Sequence, residues 1–157
     1  MDPGAHVQRV KQNLNRGRSV LIDLYNSGNW TTWDIEDVQP DPEQTALSPP
    51  HSADPFFVAT DERDPDALRK FAGEGAVFLS DLLTMEDRRA FGWSLMFTDV
   101  MALVEQQVLV HSSFFNGPGL SSFSGVVVNI RVSLGADPRT SFLDYCGFIL
   151  PYPDLCG

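Results

Sequence analysis

Residues 104–131, VEQQVLVHSSFFNGPGLSSFSGVVVNIR, carry the pattern on which the reading of the fold turns. An apolar helical run ends near Val110, and Ser113 to Asn116 read as a short strand. Gly117-Pro118-Gly119 break that strand, and the apolar spacing from Ser121 to Leu134 predicts a helix that opens on two serines. Strand, glycine break and helix in that order leave a helix N-terminus just beyond a strand's carboxyl end. Its first N–H groups are unpaired and amount to roughly half a positive charge, so a phosphate can bind there without basic side chains. Ser121 or Ser122 alone would also satisfy the helix end as an ordinary cap.

Working outward, the same alternation recurs upstream. Phe56 to Ala59 read as a buried strand, Asp64-Pro65 cap a helix carrying Leu68 and Phe71, and Ala76 to Leu79 read as a second strand. Thr84 and Asp87 have capping-box spacing at the start of a helix ending near Phe91. Trp93 to Val110 is the longest apolar stretch and predicts a largely buried helix. Strands alternating with helices imply an α/β fold, a parallel sheet with helices on both faces, whose neighbouring strands are Phe56–Ala59, Ala76–Leu79 and Ser113–Asn116.

The N-terminal part differs. Asp2-Pro3 with Val7, Val10 and Leu14 predicts a helix to about Arg18, followed by a short strand or extended connection over Ser19 to Tyr25. Residues 26–55 contain five prolines among acidic and small polar residues and read as a long loop, in which Trp30 and Trp33 have the character of docking aromatics. The expected organisation is residues 1–25 as helix and extended segment, 26–55 as loop, 56–147 as an α/β domain and 148–157 as a tail.

Composition excludes several function classes. With 157 residues and 43% hydrophobic residues the chain can fill one core. A net charge of -10 argues against nucleic acid as a partner, because phosphate backbones are held by clustered Lys and Arg. No window reaches the roughly 20 apolar residues of a membrane span, and the first residues lack a signal-peptide pattern. The three histidines are scattered and the cysteines form no ligand pattern, so no metal or other cofactor is expected. Cys146 and Cys156 permit a small disulfide loop without requiring one, and Asn29-Trp30-Thr31 is a glycosylation sequon.

Two further side chains are candidates. Asp61 follows the Phe56–Ala59 strand, where a carboxylate can accept hydrogen bonds from a ribose or a base edge; Asp61 or Asp64 can equally cap the next helix. Glu105 lies among Leu103, Val104, Val108 and Leu109. Its carboxylate either emerges on a wet face beside Gln106 and Gln107 or matches the paired N1 and N2 donors of guanine.

Taken together, Val104 to Arg131, the strand end Phe57-Val58-Ala59-Thr60-Asp61 and the downstream GADPRTSFLDYCG (135–147) resemble the donor-binding segment of the GDP-fucose protein O-fucosyltransferases, the type 2 enzymes above all. The resemblance implies a Rossmann-like domain of a GT-B glycosyltransferase and inverting transfer of fucose from GDP-fucose to a protein Ser/Thr hydroxyl without an obligatory metal. It implies that Ser121, Ser122 and Phe123 hold the diphosphate and nucleotide, that Glu105, one methylene longer than the family's Asp, reads guanine, and that Asp61 contributes to the donor site. It implies the endoplasmic reticulum or Golgi lumen. The family's His-x-Arg-x-Gly-Asp segment, whose arginine clamps the donor phosphates, matches nothing here, nor do its catalytic residues. Arg131 stands in Val-Asn-Ile-Arg, without that context. The chain is therefore expected to be a C-terminal donor-binding half, inactive alone; a noncatalytic, degenerate transferase-like or other phosphoanion-binding domain is the alternative.

Overall fold

The computed structural model describes residues 3–28, 49–51 and 53–145. Asp2, most of the proline-rich loop with Trp30 and Trp33, the sequon, both cysteines and the 148–157 tail lie outside them. The fold is mixed α/β, mostly helical, with short parallel strands. It divides into two compact units, one of Met1–Lys11 and His51–Leu109, the other of Gln12–Pro50 and Val110–Gly157.

In the first unit, β1 (Phe56–Phe57) and β2 (Ala76–Val77) pair in parallel across α2 (Pro65–Gly73), with Phe56 opposite Ala76. Val58 N donates to Val77 O at 2.9 Å, which carries the pairing one step beyond β1. Asp64 caps α2, accepting from Asp66 N at 3.0 Å, and Pro65 occupies the first turn, where its missing N–H costs nothing. Gly75, at φ 93, makes the reversal into β2 that a side chain would resist. Val7 from α1 (Pro3–Ser27), Phe71 and Ala76 form the core, with Val10, Phe56, Val58 and Phe78 around them.

The expected strand Ala76–Leu79 is shorter than its apolar run. Phe78 N donates to the Asp81 carboxylate at 2.9 Å, and this starts α3 (Leu79–Leu82). In α4 (Met85–Phe91), Thr84 Oγ1 accepts from Asp87 N at 3.1 Å while Asp87 accepts from Thr84 N at 2.9 Å. The expected single buried helix over Trp93–Val110 is corrected more deeply. Gly92 turns the chain at φ 53, Gly92–Met96 form a 3-10 turn, and only Thr98–Val110 is α-helical (α5). Trp93 is 82% exposed, and Met96, Phe97 and Leu103 also face water. Apolar composition requires a covering surface, and this unit supplies none to those side chains.

In the second unit, β3 (Phe115–Pro118) and β4 (Ser141–Asp144) pair in parallel across α6 (Ser122–Ser133), from Phe115 opposite Ser141 to Pro118 opposite Asp144. The expected neighbours of this strand were the two upstream strands; its observed partner is β4, in a separate two-stranded sheet. Successive residues of a strand face opposite sides. On one side, Asn116 Oδ1 and Asp144 Oδ2 both accept from Asn13 Nδ2 of α1 at 3.3 Å, and Arg16 lies 4.9 Å from the ring centre of Phe142. On the other, Gly117 abuts Ser124 and Ser141 Oγ accepts from Arg131 Nε at 2.9 Å. This small sheet thus has a helix on each face.

The expected strand or extended connection at Ser19–Tyr25 is helix instead. α1 continues to Ser27 because Leu21 and Leu24, in register with Leu14 and Gly17, are buried. Gly17 lets the helix approach closely, since a Cβ there would stand 2.5 Å from Phe114 Cε1.

Candidate functional site

The carboxyl ends of β3 and β4 lead into the turn Gly117–Ser121. Gly119 N donates to Asp144 O at 2.9 Å, and Ser121 N donates to Pro118 O at 3.2 Å. Ser121 takes the N-cap position of α6 with extended backbone (φ -85, ψ 124), and its Oγ accepts from Ser124 N at 3.4 Å. The first intrahelical bond is Gly125 N to Ser121 O at 3.0 Å. The amides of Ser122 and Phe123 precede it and point out of the helix start, as N-terminal amides must. Ser122 is exposed, Phe123 is half-buried and Ser124 is buried. The turn therefore combines two amides, the Ser122 hydroxyl and the positive end of a 12-residue helix.

Gly117 is required for this geometry. A Cβ there would stand 2.5 Å from Ser124 Oγ and 2.6 Å from Phe115 Cζ, so the strand and the helix start touch only because residue 117 has no side chain. The ring of Tyr145, which follows β4, packs closely against Gly119: a Cβ there would meet Cδ1 at 2.5 Å and Cζ at 2.7 Å. Tyr145 stands within the stretch 135–147 but is not among the residues that the sequence singles out for the site. Its place depends on the pairing of Ser141–Asp144 beside β3.

Arg131 sits at the other end of α6. It is 2% exposed, and its guanidinium donates to Val110 O at 3.0 Å, to Ser112 O, to Thr140 Oγ1 at 2.9 Å and to Ser141 Oγ. Burial pulls its pKa down to about 10. These partners lie just before β3 and at the start of β4, the end of the sheet opposite the Gly117–Ser121 turn, so Arg131 is a packing residue there.

Asp61 and Glu105 belong to the other unit. Asp61 is exposed after β1 and has no capping role, since Asp64 caps α2 while Glu62 Oε1 accepts from Arg63 N and Asp64 N, both at 2.8 Å. Glu105 is half-buried on α5, and burial raises the pKa of its carboxyl. Gln107 and Leu103 emerge farther into water than Glu105 does. Of the five candidate residues, Ser121, Ser122 and Phe123 lie in one unit, and Asp61 and Glu105 in the other.

Among the described residues no group of three metal-ligating side chains occurs, and no helix is long and apolar enough to cross a membrane.

Comparison with known proteins gives two matches of note, both proteins named GDP-fucose protein O-fucosyltransferase 2, from Pan troglodytes and Homo sapiens. Each is 31% identical to this chain over 105 residues, 65% of the chain and 22% of the relative. The chain thus spans about a fifth of the length of the curated relatives it matches. No protein-family model and no solved structure matches.

Proposed function

We propose that this chain is the donor-binding part of an inverting O-fucosyltransferase, and that the turn Gly117–Ser121 with the start of α6 receives the diphosphate of GDP-fucose. The observation that carries this reading is the strand, glycine turn and serine-capped helix start at the carboxyl ends of two parallel strands, where ligands of α/β sheets bind. In inverting transfer the acceptor hydroxyl oxygen bonds to the anomeric carbon of fucose as that carbon's bond to the diphosphate breaks. Negative charge then grows on the departing GDP, and oriented amides stabilise it without reorganising. Ser122 and the amides of Ser122 and Phe123 would hold the phosphate oxygens, with Ser121 shaping the helix start.

Glu105 keeps the role that the resemblance gives it, guanine recognition, and Asp61 the ribose or base contact that its place after β1 suggests, each to be tested on its own. The Rossmann-like, GT-B setting, the protein Ser/Thr acceptor and the endoplasmic reticulum or Golgi lumen belong to the same proposal. So does the inactivity of the chain by itself, because Arg131 is engaged in packing and supplies no clamp for the leaving group. Titration of the chain with GDP, followed through the amide signals of residues 117–124, tests the reading. Shifts concentrated there are expected; large shifts elsewhere with none here would refute it.

The engagement of Arg131 also favours a second reading, a noncatalytic phosphoanion-binding domain. Base selectivity separates the two. Preference for GDP over ADP, UDP and CDP supports a transferase origin, and indifference to the base supports the second reading.

A further inference from the structure

We infer that Tyr145 is a positioning residue for the anion-binding turn, acting through Gly119; this rests on the donor-site reading above. Gly119 directly follows β3 and Tyr145 directly follows β4, so the two residues leave neighbouring parallel strands at the same carboxyl edge. The backbone there is joined by the bond from Gly119 N to Asp144 O at 2.9 Å, which fixes one side of the turn. The Tyr145 ring packs against the same glycine. It stands so close to the Gly119 Cα that a methyl at residue 119 would lie within 2.7 Å of its Cζ.

Such a ring does two things for the turn. It removes the freedom that a glycine otherwise has, which is greater than that of any other residue. It also sets how far Gly119, and with it Leu120 and the Ser121 cap, stand from the strand ends. The amides of Ser122 and Phe123 are aimed by that placement. Tyr145 itself is 40% exposed, so a substitution leaves no sealed cavity in the core of the unit. The nearest atoms in the contact are the ring carbons Cε1, Cδ1 and Cζ, which Tyr145→Phe retains.

The experiment measures GDP and inorganic pyrophosphate binding by the chain, read from the amide signals of residues 117–124. The wild-type titration comes first: absence of shifts in this segment refutes the donor-site reading before Tyr145 is at issue. Given binding, Tyr145→Phe should match the wild type, whereas Tyr145→Ala should bind both ligands roughly tenfold more weakly, as expected for one or two misaligned hydrogen bonds. Gly119→Ala should weaken both ligands similarly, and adding Tyr145→Ala to it should recover part of that loss by removing the clash. If Tyr145→Ala does not fold, Tyr145→Phe and Gly119→Ala decide the matter. Unchanged affinity in Tyr145→Ala or in Gly119→Ala would overturn the inference. So would weakening of GDP alone with pyrophosphate unaffected, since the ring would then touch the base and not set the turn.

Discussion

The guanidinium of Arg131 donates to the carbonyl oxygen of Val110 at 3.0 Å, tying the last turn of α6 to the chain just ahead of β3. A charged donor in this setting satisfies several backbone and hydroxyl oxygens at once, and hydrogen bonds from charged groups contribute roughly 1.5–3 kcal/mol each. Arg131→Ala should therefore destabilise the chain by about 3–5 kcal/mol, part of it from the stranded carbonyls. Arg131→Lys should recover little, because one ammonium cannot span the fork. With its pKa drawn down to about 10 by burial, Arg131 keeps its proton in both states from about pH 5 to 9. The destabilisation, measured by urea unfolding, should be flat across that range; a slope would contradict this account.

Gly117→Ala tests the close packing of strand and helix start. The new methyl would collide with Ser124 Oγ and the Phe115 ring, both held within the unit, and overpacking of this kind costs about 1–3 kcal/mol. Thermal unfolding of Gly117→Ala against Gly117→Ala/Ser124→Gly measures it. The second substitution should return part of the loss, and an unchanged midpoint in the single variant would show that the turn yields freely.

Glu105 offers a pH test whose sign is fixed by its environment. Burial raises its folded pKa above the unfolded value near 4.5, so the folded state holds the proton more tightly. The corresponding stability is fully present below the unfolded pKa and is lost as pH rises through the folded one. Glu105→Gln removes the ionisable group, so it should be more stable than wild type at neutral pH, with the gain fading as pH falls through the raised folded pKa and gone below the unfolded value near 4.5. A constant difference across the titration would refute the burial argument.

On the functional side, the chain should bind GDP with a dissociation constant on the order of millimolar and transfer no fucose. Losing a bidentate arginine clamp removes charge-assisted hydrogen bonds worth about two to four powers of ten in affinity. Calorimetric titration with GDP and a GDP-release assay with GDP-fucose and acceptor check the two parts. Micromolar binding, or release dependent on acceptor, would show that residues 1–157 carry more of the site than is proposed.

Elements defined by local chemistry were legible in the sequence. Asp64-Pro65 and the Thr84–Asp87 pair cap α2 and α4 as expected, and Ser121 to Leu134 bracket α6. The first β-α-β passage, from β1 through α2 to β2, follows from strand and helix alternation. Features decided by distant partners were not legible. Ser19–Tyr25 is helical because Leu21 and Leu24 find a buried site, Ser141–Asp144 is a strand because β3 lies beside it, and Trp93 faces water for want of a covering surface. Within the candidate site the same division holds. Ser121, Ser122 and Phe123 could be read from a turn motif, whereas Tyr145 depended on strand register. The proline-rich loop and the cysteines fall outside the described residues.

The exposure of Trp93, Met96, Phe97 and Leu103 has a practical side. Fluorescent dyes that brighten on apolar surfaces are the usual reporters of melted or partly collapsed chains. Here the folded protein itself presents them with an indole, a benzyl and a thioether in water. A bright signal at low temperature is thus the expected baseline of the native state, and strongly salting-out buffers, which favour burial of such groups, should promote self-association before any unfolding.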